Sequence, residues 1–487
     1  MSSSSRSSTS SLGRPSSPLV GLQFPPELVL VNEIDSPNEE LDFSSDDELP
    51  DEFSARLDRL NASTIPPISP TLVLLYLSAP YLKLGPMFLR TSDTPLSLSV
   101  AALAVSALFA AFTRQMWYLL ARYLRKMDME DVVLDAFARG PGKTRRRLLL
   151  RTIVRVSTIV IRILLASVSL RVSVDALLTL VPAHFLPIAR GLFTMTLALA
   201  LIPLYAAPSL ATKRIICATW ASVLAYLIWL GAVSYAYIKG TSSTDLHSQN
   251  VGILWQGITS TAFIFSSSWT LPLYAALRGS GPPAVTKRLR RRSFRALIAT
   301  SVAITVALVL PLCLFASPLN IPSTPERGAN AVIAISSAAN LILIIPAILI
   351  TIPPTHLPRA IRRTTSPTIS KIIIYSITIA LSVLSSKATV VLGDLLLVLS
   401  LLSTYVLPAI LHITVHYFRR PLSIVLPTSV TRVEDGEGDE LLQRKERSLQ
   451  RRRFSRRIVW DAIAWVSVLP LGTGGSAWAI GRVLGKW

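Results

Sequence analysis

Residues 253–277 read ILWQGITSTAFIFSSSWTLPLYAAL. The stretch is long and apolar enough to cross roughly 30 Å of hydrocarbon. Near its middle, Ser266, Ser267 and Ser268 precede Trp269 and Pro272. A helix in lipid must satisfy its own backbone hydrogen bonds, so an interruption at that depth is expected where the chain lines a polar cavity inside the protein. Residues 72–88, LVLLYLSAPYLKLGPMF, are broken in the same way, with Pro80 in mid-span and Gly85-Pro86 beyond it.

Working outward from these two stretches, apolar runs recur along the whole chain. We place eleven spans, at 69–89, 96–118, 148–181, 188–207, 215–238, 251–277, 296–316, 329–353, 372–386, 392–416 and 458–484. Lys387 and Asp394 interrupt one apolar run, which reads as a tight hairpin between the ninth and tenth spans. The two broken stretches are thus the first and sixth spans, the offset of a five-plus-five inverted repeat with one helix added. The fold class expected is an all-α polytopic membrane protein. Composition agrees: of 487 residues, 51% are hydrophobic and 16% charged, against about 25% charged in a soluble chain. The two cysteines, Cys217 and Cys313, lie in apolar stretches, which argues against a disulfide scaffold.

The formal charge of +21 would suggest nucleic acid in a soluble protein, but its distribution points to topology and to membrane lipids. With a cytosolic N-terminus, the inner loops 119–147, 208–214, 278–295, 354–371 and 417–457 hold 32 Lys/Arg and the outer segments hold 5. That asymmetry follows the positive-inside rule. Clusters such as Arg145-Arg146-Arg147 then serve as topology signals and anionic-lipid contacts, not as a nucleic-acid site. Residues 1–67, Ser-rich and then acidic, cannot bury enough apolar area to offset ordering entropy and read as a disordered cytosolic tail; residues 68–487 form the membrane domain.

Discontinuous helices at corresponding positions of two repeats are where carriers build their sites. The candidate substrate-binding residues are therefore Ser78, Ala79, Pro80 and Tyr81 in the first span and Phe265, Ser266, Ser267 and Ser268 in the sixth. Ser336, Ser337 and Asn340, polar groups in an apolar eighth span, complete the set; hydrogen bonding between helices explains them equally well. The third span carries Arg151, Arg155 and Arg162 on one face, at offsets of 4 and 11 residues, and Arg171 opposite, with Asp175 one turn on as a partner. Arg151 and Arg155 are expected to snorkel to the inner interface. His412 and His416 are four apart on the tenth span, but no third ligand accompanies them, and a packed pair is the better reading. No nucleotide loop or nucleophile elbow is present, so neither enzyme activity nor a cofactor or bound metal is expected.

The order of these features resembles the amino acid/auxin permease family. The likeness rests on FIFSSSWTLPLYAAL in the sixth span; on MEDVVLDAFARGPGK after the second, with Glu130, Asp131, Ala136, Phe137 and Gly140; on VSVDALLTLVP ending the third; and on STYVLPAILHI in the tenth. Leu75, Tyr76, Leu77 and Ser78 stand where that family has glycines in its first span. The resemblance implies a secondary active transporter of amino acids or related small polar metabolites, working by alternating access, with a proton or Na+ as a possible coupling ion. A non-transporting receptor or scaffold on the same fold is the alternative, favoured by the replaced glycines. Glu437 before Leu441-Leu442 has the spacing of an acidic dileucine signal and points to a vacuolar or lysosomal membrane.

Overall fold

The computed structural model describes residues 68–90, 95–124, 126, 128–138, 144–182, 185–239, 251–266, 270–278, 287–314, 327–353, 367–415 and 461–484. The regular structure among them is helical throughout. In chain order the helices are α1 (Pro70–Ser78), α2 (Leu84–Arg90), α3 (Leu96–Leu124), α4 (Met129–Phe137), α5 (Thr144–Leu178), α6 (Leu186–Tyr205), α7 (Lys213–Lys239) and α8 (Val251–Ile264). They continue as α9 (Thr270–Arg278), α10 (Lys287–Leu314), α11 (Arg327–Ile350), α12 (Pro367–Ser382), α13 (Ser386–Leu401), α14 (Leu407–Ile413) and α15 (Leu469–Val483). Among the described residues, nine helical segments are long and apolar enough to cross a membrane. The sixth apolar segment is split between α8 and α9, and α12 is shorter.

Exposure runs opposite to that of a soluble protein. Ile188, Leu199 and Ile238 are more than two-thirds exposed, while Lys83, Arg114, Arg162 and Arg171 are buried. An apolar outside with the charged side chains of the helices turned inward is what a bilayer selects, because lipid tails solvate leucine but not charge. With no hydrophobic drive between helices in lipid, close packing has to hold them together. Small residues allow it: a Cβ on Gly472 would stand 2.6 Å from Val406 Cγ2, and one on Gly475 would stand 2.8 Å from Leu401 Cδ1. These glycines seat α15 against α13 and the π-helical turn Leu402–Val406 that follows it. Pro408 and Pro470 each follow a π-helical turn, the usual way a helix absorbs a residue that cannot donate.

Two packing groups emerge. In one, α5 packs on α6, α11, α12 and α13, and α11 on α6 and α7. In the other, α3 and α10 pack on each other and on the broken segments: α10 on α1 and α2, and α3 on α8 and α9.

One detail corrects the sequence reading and two extend it. The turn between the ninth and tenth spans lies at Val383–Ser385, not at 387–391: Ser385 caps α13, and Lys387 and Asp394 belong to that helix. Asp394 is buried within it and pairs with Arg482 of α15 at 3.2 Å. Arg151 and Arg155 have a partner that the sequence reading did not name. Arg155 makes two 2.8 Å bonds to the Glu130 carboxylate, and Arg151 reaches the same group at 3.4 Å. At about 1.5 Å per residue, 35-residue α5 is roughly 50 Å long, so its first turns protrude beyond hydrocarbon and need a partner there. The expected Arg171–Asp175 pair is present at 3.1 Å, and Arg171 Nη1 also donates to the carbonyls of Ser382 and Leu384, fastening the hairpin to α5.

Candidate functional site

The first broken segment follows from its proline. Pro80 has no N–H to offer the carbonyl four residues back. The chain tightens into a 3-10 turn over Ala79–Leu82, bends at Lys83 (φ −109°, ψ −119°) and resumes as α2 at Leu84. Carbonyls in this stretch are taken up by neighbouring helices. Arg114 Nη2 of α3 donates to the Leu77 carbonyl at 3.0 Å, and Nη1 donates to Ser301 Oγ of α10 at 3.0 Å. The same guanidinium lies 4.2 Å from the centre of the Tyr81 ring. From α11, Asn340 Nδ2 donates to the Leu82 carbonyl at 2.9 Å, and Ser222 Oγ donates to Asn340 Oδ1 at 2.9 Å, which sets the amide's orientation.

The sixth segment breaks likewise. Helix α8 ends at Ile264, and the Ser266 N–H donates to the Phe263 carbonyl at 3.0 Å in a tightened last turn. The chain is helical again from Thr270. Ser267, Ser268 and Trp269 lie outside the described residues.

The two breaks meet. The rings of Tyr81 and Phe265 contact edge-on at 5.3 Å. A Cβ on Gly85 would stand 2.6 Å from Ile264 Cα, so the backbones approach only because residue 85 has no side chain. Beside this contact lies a cavity of about 40 Å³, lined by Pro80, Lys83, Leu84 and Gly85 from the first segment and Phe263 and Ser266 from the sixth. Ile161 and Leu165 of α5 and the hydroxyl residues Ser400, Ser403 and Thr404 complete the wall. At about 10–15 Å³ per water, the space admits a few waters and no metabolite.

Of the residues selected from sequence, Pro80 and Ser266 line this cavity. Ser78 donates to the carbonyls of Leu74 and Leu75 in its own helix, and Ala79 packs in a core with Tyr76 and Ile344. Tyr81 and Phe265 face α3 and α10. Ser336 and Ser337 donate back to Val332 and Ala334 and are not among the lining residues. Asn340 does reach the break, as the clamp on Leu82. Sequence reasoning passed over Lys83, Arg114 and the Ser400, Ser403, Thr404 triplet. The available signals were an ionisable residue within an apolar span and hydroxyls at i, i+3 and i+4, which share one helical face.

No group of three or more metal-ligating side chains occurs among the described residues. His412 Nε2 lies 3.1 Å from Asp461 Oδ1, while His416 is outside the described residues. Helix α4 presses Val132, Val133 and Ala136 against Trp117, Leu271 and Leu411, which ties α3, α9 and α14 together. Just before α4, burial holds the Asp128 carboxyl above the usual carboxylate range, and the neighbouring Asp131 and Glu130 charges add to this. The sequence matches no protein-family model and no curated protein.

Proposed function

We propose that the chain is a secondary active carrier of small polar metabolites, amino acids among them, working by alternating access. One observation carries the reading: two interrupted membrane segments meet around a shared cavity, and polar side chains from other helices service the carbonyls at the break. A helix that only needed to cross the bilayer would gain nothing from such a break. Eleven crossings in a five-plus-five inverted repeat, with the N-terminus in the cytosol, put both breaks at equivalent positions. The group around α3 and α10 would then rock against the group around α5 and α11. The resemblance to the amino acid/auxin permease family supports the same assignment, with a proton or Na+ as the coupling ion and a vacuolar or lysosomal membrane as the location.

Uptake into proteoliposomes tests it. Ser266→Trp fills the cavity and is expected to reduce uptake at least tenfold in protein that remains monodisperse. Unchanged uptake of every substrate in a broad metabolite panel would reject the site. Saturable binding without flux would favour the receptor reading.

A further inference from the structure

Four hydroxyl residues stand on the wall of the cavity, and their commitments differ. Ser403 Oγ donates to the Ser400 carbonyl at 3.1 Å. Thr404 has an interaction of its own, as does Lys83. The hydroxyls of Ser266 and Ser400 make no hydrogen bond among the described residues, and Ser400 is only 6% exposed. Buried polar groups are nearly always paired, so two idle hydroxyls beside open space call for a partner that enters it. The rest of the wall, from Pro80, Leu84, Ile161, Leu165 and Phe263, is apolar and offers none. The two serines also come from different packing groups. Ser266 follows α8, which packs on α3, and Ser400 belongs to α13, which packs on α5.

The size of the space narrows the partner. About 40 Å³ holds a group of water's dimensions. A hydroxyl group has those dimensions, and its one oxygen can accept from one serine while donating to the other. A methyl group in its place would leave both serines unpaired in a desolvated pocket, the penalty by which a site rejects an analogue that lacks one hydroxyl. We propose that this cavity receives a hydroxyl group of the transported solute, held by Ser266 and Ser400, and so selects hydroxylated small metabolites over their deoxy analogues. A hydroxyl held by both serines also bridges the two packing groups, so that occupancy favours their closure. The inference rests on the carrier reading and names its substrate class, and binding tests it separately.

The experiment uses the full-length protein, purified in detergent and also reconstituted. Three pairs of solutes differ by a single hydroxyl and cover three charge types: serine and alanine, lactate and propionate, lactamide and propionamide. Each is measured as a ligand that raises the melting temperature and then as an uptake substrate. In at least one pair the hydroxylated member is expected to bind about tenfold or more tightly than its partner. Ser266→Ala and Ser400→Ala should each bring the two members close to equal affinity. The comparison within a pair needs no variant, so the test stands even if a variant fails to fold. Equal binding within every pair, or binding of none of the six, would overturn the inference; where both members of a pair are also taken up equally, the carrier reading stays intact. Hydroxyl-selective binding without uptake of any member would do the reverse. A preference unchanged in folded Ser266→Ala and Ser400→Ala would remove the role assigned to these serines.

Discussion

The two faces of the first break hold their buried basic side chains in different ways. Toward α3 and α10, Arg114 is held by the Leu77 carbonyl, the Ser301 hydroxyl and the Tyr81 ring. Toward α5 and α13, Lys83 borders a cavity. A planar guanidinium with several fixed partners works as a structural clamp, whereas Lys83 brings a single amine on a flexible stem to the wall of a cavity. The contrast shows how one interruption of a helix can be sealed on one side and border a cavity on the other.

The largest effect should come from breaking the sealed face. Arg114→Ala leaves the Leu77 carbonyl and Ser301 without their donor and is expected to cost about 2–4 kcal/mol, read as loss of folded yield or a sharp fall in melting temperature in detergent. Arg114→Lys should recover only part of this, since a point charge cannot serve both acceptors and the ring at once. If Arg114→Ala melts like the wild type, the clamp is not structural and the comparison fails.

Next comes the contact that holds the two breaks together. Gly85→Ala pushes a methyl into the Ile264 backbone; separating the segments should cost about 1–3 kcal/mol and impair uptake more than folding. Equal loss of both would show that the close approach serves assembly alone.

A third variant compares arginines along α5. Arg155 has a carboxylate partner in Glu130, and Arg162 lies two turns deeper, away from that pair. Glu130→Gln should cost about 1–2 kcal/mol and loosen α4, seen as faster hydrogen exchange over residues 129–137. Unchanged exchange would mean that the apolar face of α4 alone seats it.

The smallest effect lies just before α4. The Asp128 carboxyl is raised above its ordinary range, so the folded protein holds that proton more tightly than the unfolded chain does. Its contribution therefore becomes unfavourable as pH rises through the interval between the two values. Asp128→Asn should raise the melting temperature by about one or two degrees at pH 7, with the gain fading as pH falls toward 4. A gain that persists at low pH would point to a cause other than charge.

Much of this organisation is legible along the chain. Pro80 and the serines before Pro272 mark both interruptions, because proline removes a donor wherever it stands. The Arg171–Asp175 pair follows from helical spacing alone. The hairpin before α13 was misplaced because Lys387 and Asp394 look like loop residues in a hydropathy pattern; the partner that lets Asp394 enter the helix, Arg482, is 88 residues away. The partner of Arg151 and Arg155 was not legible for the same reason: Glu130 lies on another helix.

The sequence by itself therefore determined a helical, many-spanning membrane protein with paired breaks, since apolar length, proline and the placement of Lys and Arg act locally or within one segment. Which face of the first break is sealed and which is hollow was decided only in three dimensions. That outcome depends on Arg114, Asn340 and Gly85 meeting Leu77, Leu82 and Ile264 across 37, 258 and 179 residues, and whether a carbonyl is bonded or left facing a cavity depends on what arrives from those distances.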